Sequence, residues 1–143
     1  MGDLSRFLKK NKVIKENLKV VATRSLTDEA GAPLLWEVRP LTTKEDNTIR
    51  DESTMDVQVT GKPGLYRPKL NTNRYLAKMA AACIVYPNLN DRELQDSYGV
   101  MGADQLLVEM IDDPGEYNEF ISKIQAYHGF DQAFQDKVDE AKN

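Results

Sequence analysis

The stretch from Asn71 to Pro87 constrains the fold most. It carries only two charged side chains, Arg74 and Lys78. Tyr75, Leu76, Met79, Ala80, Cys83, Ile84 and Tyr86 spread around nearly the whole circumference of a helix. A helix that is apolar on almost every side is normally a buried one. The spacing predicts a helix capped by Asn71 or Asn73 that reaches Tyr86. Pro87 stops it, because the ring clashes with the preceding turn and the N–H is missing. The rest of the chain must then cover that helix. A chain of 143 residues suits one domain, and at about 150 residues a domain buries roughly 68–70% of its unfolded surface without help from disulfides or metals.

The cover has two textures. Residues 18–66 read as strands and residues 71–129 as helices, with a last helix over 130–143. Leu18-Lys19-Val20-Val21-Ala22-Thr23 and Leu34-Leu35-Trp36-Glu37-Val38 are β-branched and apolar, and the turn-rich Thr27-Asp28-Glu29-Ala30-Gly31 between them fits a hairpin. Leu34, Trp36 and Val38 would share its inner face. Pro40 ends the second strand, since it cannot donate to a ladder. Met55, Val57 and Val59 alternate with polar residues, which predicts a third strand with those three facing inward. Gly61-Lys62-Pro63-Gly64 is a turn.

The helical signals are capping signals. Asp3 opens a short helix over about 4–11. Thr42 with Glu45 makes a capping box for a surface helix whose one large apolar residue is Ile49. Asn90 with Glu93 makes a second box, with Leu89 and Leu94 as a staple, for a short helix ending near Gly99. Leu106, Leu107, Met110 and Ile111 mark the core stripe of the next. Asp113, Pro114 and Glu116 then supply an N-cap, an N1 proline and an N3 acid. They begin a helix with Tyr117, Phe120, Ile121 and Ile124 on one face. Gly129 closes it, with Phe130 packing back on Ile124. The fold class is therefore α+β: a small N-terminal antiparallel sheet, then a cluster of about four to five helices in the same domain, 1–143.

Composition narrows the function. The net charge is −4, unevenly spread: residues 1–80 hold 15 Lys and Arg against 10 Asp and Glu, and residues 81–143 hold 4 against 13. The basic cluster Lys9-Lys10-Asn11-Lys12 with Lys15 is short, lacks interleaved aromatics and reads as a solvated surface. No stretch resembles a signal peptide or approaches the roughly 20 apolar residues that span a bilayer, and Arg6 breaks the myristoylation pattern begun by Gly2. A cytoplasmic protein is expected, with no membrane partner.

Chemistry is hard to place. The single cysteine, Cys83, and the single histidine, His128, are far apart in sequence, so no zinc ligand set can be assembled. Cys83 sits in an apolar run and reads as a small buried hydrophobe. His128, one residue before the helix-ending Gly129, reads as a cation on the helix dipole. Gly61-Lys62-Pro63-Gly64 lacks the phosphate-loop spacing, and its proline removes an amide donor. Asp112-Asp113-Pro114-Gly115-Glu116 lacks calcium-loop spacing. Pairs such as Asp91/Glu93 and Asp139/Glu140 lie on solvated helix faces. No catalytic, metal or cofactor residue is assigned, and no nucleic-acid-binding signature occurs.

A string of segments carries a resemblance: Leu35-Trp36-Glu37-Val38-Arg39-Pro40-Leu41-Thr42, Lys44-Glu45-Asp46, Ile49-Arg50, Tyr75-Leu76-Ala77, Val85-Tyr86-Pro87-Asn88-Leu89, Leu94-Gln95-Asp96-Ser97-Tyr98-Gly99-Val100 and Gly115-Glu116-Tyr117. Their order and spacing resemble the XkdN-like family of phage tail-assembly chaperones, from about Trp36 to Phe130. The resemblance implies a non-enzymatic protein of the host bacterial cytoplasm, encoded by tailed phages and defective prophages of Gram-positive bacteria. It implies that the protein coats the tape-measure protein, recruits tail-tube subunits and is absent from the finished virion. It also implies that a longer, frameshifted form can accompany the short one, and self-association is a further expected contact.

A chaperone of this kind needs an apolar surface for exposed client helices. The candidate is the stripe Phe130, Phe134 and Val138 on a loosely attached last helix; the competing reading packs that stripe on the domain's own core. Two other classes remain open: a small prophage nucleic-acid-binding regulator using the basic half, and a minor structural tail component.

Overall fold

The computed structural model describes residues 2–130. The chain opens with α1 (Gly2–Ser5), a turn, and a short 3-10 segment at Lys9–Asn11. The single helix expected over 4–11 is therefore split. Its large apolar side chains face no core, and an isolated two-turn helix is marginal in water.

Strands β1 (Leu18–Val21) and β2 (Leu35–Val38) form the expected antiparallel hairpin, with Val20 opposite Trp36. Trp36 and Val38 are buried, whereas Leu34 lies before the strand and is 42% exposed. Helix α2 (Thr43–Glu52) carries the full capping box of Thr42 and Glu45, and Ile49 is its buried residue.

β3 (Thr54–Gln58) and β4 (Tyr66–Leu70) make a separate two-stranded sheet. The inward orientation expected for Met55, Val57 and Val59 holds only in part: Val57 and Val59 are half-buried between exposed neighbours, but Met55 is 48% exposed. Alternation marks a strand, but not whether a core lies against one of its faces. β4 carries Pro68, opposite Asp56, which a two-stranded ribbon with a free outer edge tolerates.

Asn71 caps α3 (Thr72–Cys83), accepting from the Arg74 N–H. The helix stops at Cys83, three residues before the expected Tyr86. Ile84–Tyr86 become β5, antiparallel to β2 in the order β1-β2-β5. The physical reason is local: Ile84 and Val85 are β-branched, Tyr86 precedes a proline and is driven out of the α region, and β2 offers a free edge. The Arg39 N–H donates to the Cys83 carbonyl at 2.8 Å, so the sheet takes over where the helix ends.

α4 (Arg92–Ser97) is capped by Asp91, which accepts from Leu94 N–H, not by Asn90. Asn90 is instead held in the preceding turn, donating its own N–H to the Asn88 side chain. α5 (Ala103–Met110) and α6 (Pro114–His128) follow as expected, α6 with Asp113 at its N-cap and Gly129 left-handed (φ 83°) at its end. The core is α3 packed between the three-stranded sheet, α5 and α6. Met79, Ala80 and Cys83 are wholly buried there with Leu106, Leu107 and Ile124, and Trp36 meets Phe120 edge to face at 5.8 Å.

Candidate functional site

Cys83 and His128, distant in sequence, come together in the fold. The Cys83 Sγ lies 3.9 Å from His128 Nε2, the spacing of a potential nucleophile and base. Its environment opposes that chemistry. Burial pushes the Cys83 thiol up to about 12, and Sγ donates to the Met79 carbonyl instead. His128 Nε2 already accepts the Leu41 N–H at 2.8 Å, so Nδ1 carries the proton and faces the Ile124 carbonyl at 2.8 Å. This imidazole is neutral and joins two backbone elements. The cationic role expected for it at the helix end is corrected: a donor aimed at Nε2 requires a lone pair there.

The ionic contacts are likewise structural. Arg39 grips Glu45 through two hydrogen bonds, at 3.0 and 2.6 Å. The guanidinium, together with the Thr42 N–H, holds the Glu45 carboxyl down at about 2. Asp46 accepts from the Tyr75 hydroxyl and from Arg50, whose guanidinium lies 4.5 Å over the Tyr75 ring. Glu116, expected as an N3 acid, spans to the sheet, accepting from Thr23 Oγ1 at 2.7 Å and Arg24 N–H at 2.9 Å. Among the described residues no three His, Cys, Asp or Glu side chains gather as a metal would need. No helix among them is long and apolar enough to cross a membrane.

What the structure leaves unused is apolar surface. The first such surface is the N-terminal arm, where Leu4, Phe7, Leu8, Val13 and Ile14 are all exposed, Phe7 at 84% and Val13 at 91%. The arm's root is fastened to the end of α6: Lys15 Nζ donates to the Tyr127 carbonyl and lies 4.1 Å over its ring, and the Tyr127 hydroxyl donates to the Glu16 carbonyl. The second is a groove of about 460 Å3 between α3, α5 and α6, lined by Leu76, Ala77, Val108, Tyr117 and Ile121 among others. The third is the β3–β4 ribbon, with Met55, Leu65 and Tyr66 exposed.

Of the partner-binding residues expected from sequence, Phe130 is half-buried and stacks on His128, ring centroids 5.6 Å apart, in place of the expected contact with Ile124. Phe134 and Val138, with the rest of the expected last helix, lie outside the described residues. The exposure of the arm has no local signal in the sequence: Leu4, Phe7 and Leu8 precede the lysines and Val13 and Ile14 lie among them, and whether such residues are covered is decided by packing.

Residues 4–142 match the family described as "Phage XkdN-like tail assembly chaperone protein". The chain is 25% identical over 141 residues to the phage-like element PBSX protein XkdN of Bacillus subtilis (strain 168), covering 99% of this chain and 94% of that one. It is 26% identical over 141 residues to the uncharacterized protein YqbN of the same strain, covering 99% and 93%. The crystal structure of YqbN superposes with a TM-score of 0.73 at 22% identity, covering 90% of this chain and 97% of that one, which shows the same α+β fold. The match reaches well beyond the segments between Trp36 and Phe130.

Proposed function

The chain belongs to the phage XkdN-like tail assembly chaperone family, and from that premise we propose that its client is the tape-measure protein. It binds that long helical chain in the host bacterial cytoplasm while the tail is built, keeps it soluble, helps bring tail-tube subunits to it and leaves before the virion is complete. The observation that carries this reading is the family match over residues 4–142. The surface chemistry supports it: an unassembled tape-measure helix exposes apolar stripes, and a covering protein needs exposed apolar groups to meet them. No chemical step is required of the chain. In the lone Cys–His pair Cys83 is buried and His128 half-buried, and the thiol and the imidazole Nε2 are both engaged with backbone partners.

The proposed client face begins at Phe130 and continues through Phe134 and Val138, which recur every four residues and would form one stripe if helical. The test is co-expression with the tape-measure protein of the same phage or prophage. The tape-measure protein should stay soluble and co-purify with the full chain, and precipitate without it. A client equally insoluble with and without this chain would refute the function. Replacing Phe130, Phe134 and Val138 together by Ser should abolish rescue while the domain stays folded. Unimpaired rescue by that variant would move the client face elsewhere and leave the function standing.

A further inference from the structure

The arm before β1 combines two unused kinds of surface. Leu4, Phe7, Leu8, Val13 and Ile14 are all exposed, from 48% at Leu8 to 91% at Val13. Residues 4–15 also hold Arg6, Lys9, Lys10, Lys12 and Lys15 and no acidic side chain. Lys15 is engaged with the Tyr127 carbonyl and ring. Arg6, Lys9, Lys10 and Lys12 form no ion pair among the described residues.

The arm's backbone is already wound in turns. Arg6 N–H donates to the Asp3 carbonyl at 3.3 Å, Phe7 to Leu4 at 3.0 Å, Leu8 to Ser5 at 3.2 Å, Asn11 to Leu8 at 2.9 Å and Lys12 to Lys9 at 3.1 Å. The Asn11 side-chain amide closes on the Ser5 carbonyl at 2.8 Å. Regularised into one α-helix, the segment places Leu4, Phe7 and Leu8 within about 100° of one another, with Arg6, Lys9 and Lys10 on the opposite side.

A protein groove would read this helix poorly. Such a groove takes a stripe at i, i+3, i+4 and i+7, and here the last of those positions is Asn11, while Val13 and Ile14 lie beyond the last turn. A lipid interface selects depth rather than shape and accepts all five apolar side chains. Leu and Phe on one face with Lys and Arg on the other is the composition of segments that lie in it. Charge gives the sign of the surface. Residues 16–143 hold 14 Lys and Arg against 22 Asp and Glu, so an anionic surface attracts the arm and repels the body of the domain.

We propose that the arm docks on an anionic lipid bilayer, with Leu4, Phe7, Leu8, Val13 and Ile14 at the boundary of headgroups and acyl chains and Arg6, Lys9, Lys10 and Lys12 against lipid phosphates. The contact is peripheral and, for one short arm, weak and reversible. It needs neither a spanning helix nor an acyl chain, the two features behind the sequence expectation of no membrane partner. It is independent of the client, since the arm is distinct from the face proposed at Phe130.

Co-sedimentation of the full chain with vesicles tests it, one set of equal parts phosphatidylglycerol and phosphatidylcholine, the other of phosphatidylcholine alone. The chain should sediment with the anionic vesicles and not with the neutral ones, less so as salt screens the charges, and its helical circular dichroism should rise on binding. Phe7→Ser should lower the partition coefficient at least about tenfold, the loss of one buried aromatic, and Lys9→Gln or Lys10→Gln about fivefold each. These side chains are exposed, so urea unfolding should be native; if Phe7→Ser fails to fold, Val13→Ser carries the same expectation. No retention on anionic vesicles overturns the proposal and leaves the arm to a protein partner. Retention that both serine variants keep and that duplex DNA competes away also overturns it, since charge alone would then bind the arm to any polyanion.

Discussion

The backbone N–H of Leu41 donates to Nε2 of His128 at 2.8 Å, across 87 residues of sequence. This bond ties the segment that enters α2 to the last turn of α6. His128→Leu keeps most of the ring's bulk and removes the acceptor, leaving the half-buried Leu41 N–H without a partner. An unsatisfied donor of this kind costs ~1–3 kcal/mol. Urea unfolding should show that loss. A change within about 0.5 kcal/mol, the range of ordinary surface substitutions, would mean that water replaces the imidazole.

Core substitutions should separate the centre of α3 from its rim. Met79 is wholly buried and Phe120 packs on Trp36, so Met79→Ala should cost ~2–5 kcal/mol and Phe120→Ala ~3–5 kcal/mol. Leu76 is half-buried along the groove. Its truncation should cost clearly less than that of Met79, because solvent already reaches one side. Equal losses at 76 and 79 in denaturant titrations would show that the groove is closed in solution.

The Arg39–Glu45 pair predicts a weakening in acid. The folded state holds the Glu45 carboxyl at about 2, against 4.5 for the free group. A lowered folded value means that the stabilisation is complete above about pH 4.5 and is lost as the pH falls toward 2. Both side chains are more than a third exposed (36% and 38%), so solvent keeps the effect small. Glu45→Gln should flatten the fall in melting temperature between pH 5 and about pH 2. A variant whose acid profile follows that of the native chain would show that other carboxylates carry the loss.

The cap of α4 offers a sharper test of local structure. Asp91→Ala removes the acceptor for Leu94 N–H and should cost ~0.5–2 kcal/mol. Asn90→Ala should cost less, since the Asn90 contact with Asn88 is made by its own N–H and survives the change. The reverse order in thermal melts would restore the cap to Asn90.

The sequence was most legible where one local rule acts without competition. The Thr42–Glu45 box, the Asp113-Pro114 start and the Gly129 stop each stand where capping chemistry places them, because those bonds close within a few residues. It was least legible where distant partners decide. Ile84–Tyr86 continue an apolar helical pattern, yet the free edge of β2 and the following proline make them a strand. The meeting of Cys83 and His128 required two elements to pack, and no spacing announced it. The candidate surface was readable only in part: the arm's residues are plain in the sequence, but their exposure follows from the absence of a cover.

The β3–β4 ribbon gives the last prediction. Among the described residues β3 pairs only with β4, Met55 is exposed, and most of the ribbon's side chains face solvent. The ribbon's inner end is held to the domain by Asn71 N–H donating to the Ser53 carbonyl at 2.8 Å, beside the buried Ser53 hydroxyl bonded to the Ile49 carbonyl. An isolated two-stranded hairpin is at best marginally stable in water. Its amides should therefore exchange through local opening, well before those of α3, which exchange only on global unfolding. Met55→Ser should change global stability by no more than about 0.5 kcal/mol, as at other surface positions. Ser53→Val, at the tether, removes a buried hydroxyl bonded to the Ile49 carbonyl and overfills the site, and should cost ~1–3 kcal/mol, the carbonyl keeping only the Ser53 N–H. Hydrogen exchange followed residue by residue checks the first expectation. Ribbon amides protected as long as those of Met79 or Ala80 would mean that the ribbon unfolds only with the core, and that its exposed face is covered in solution.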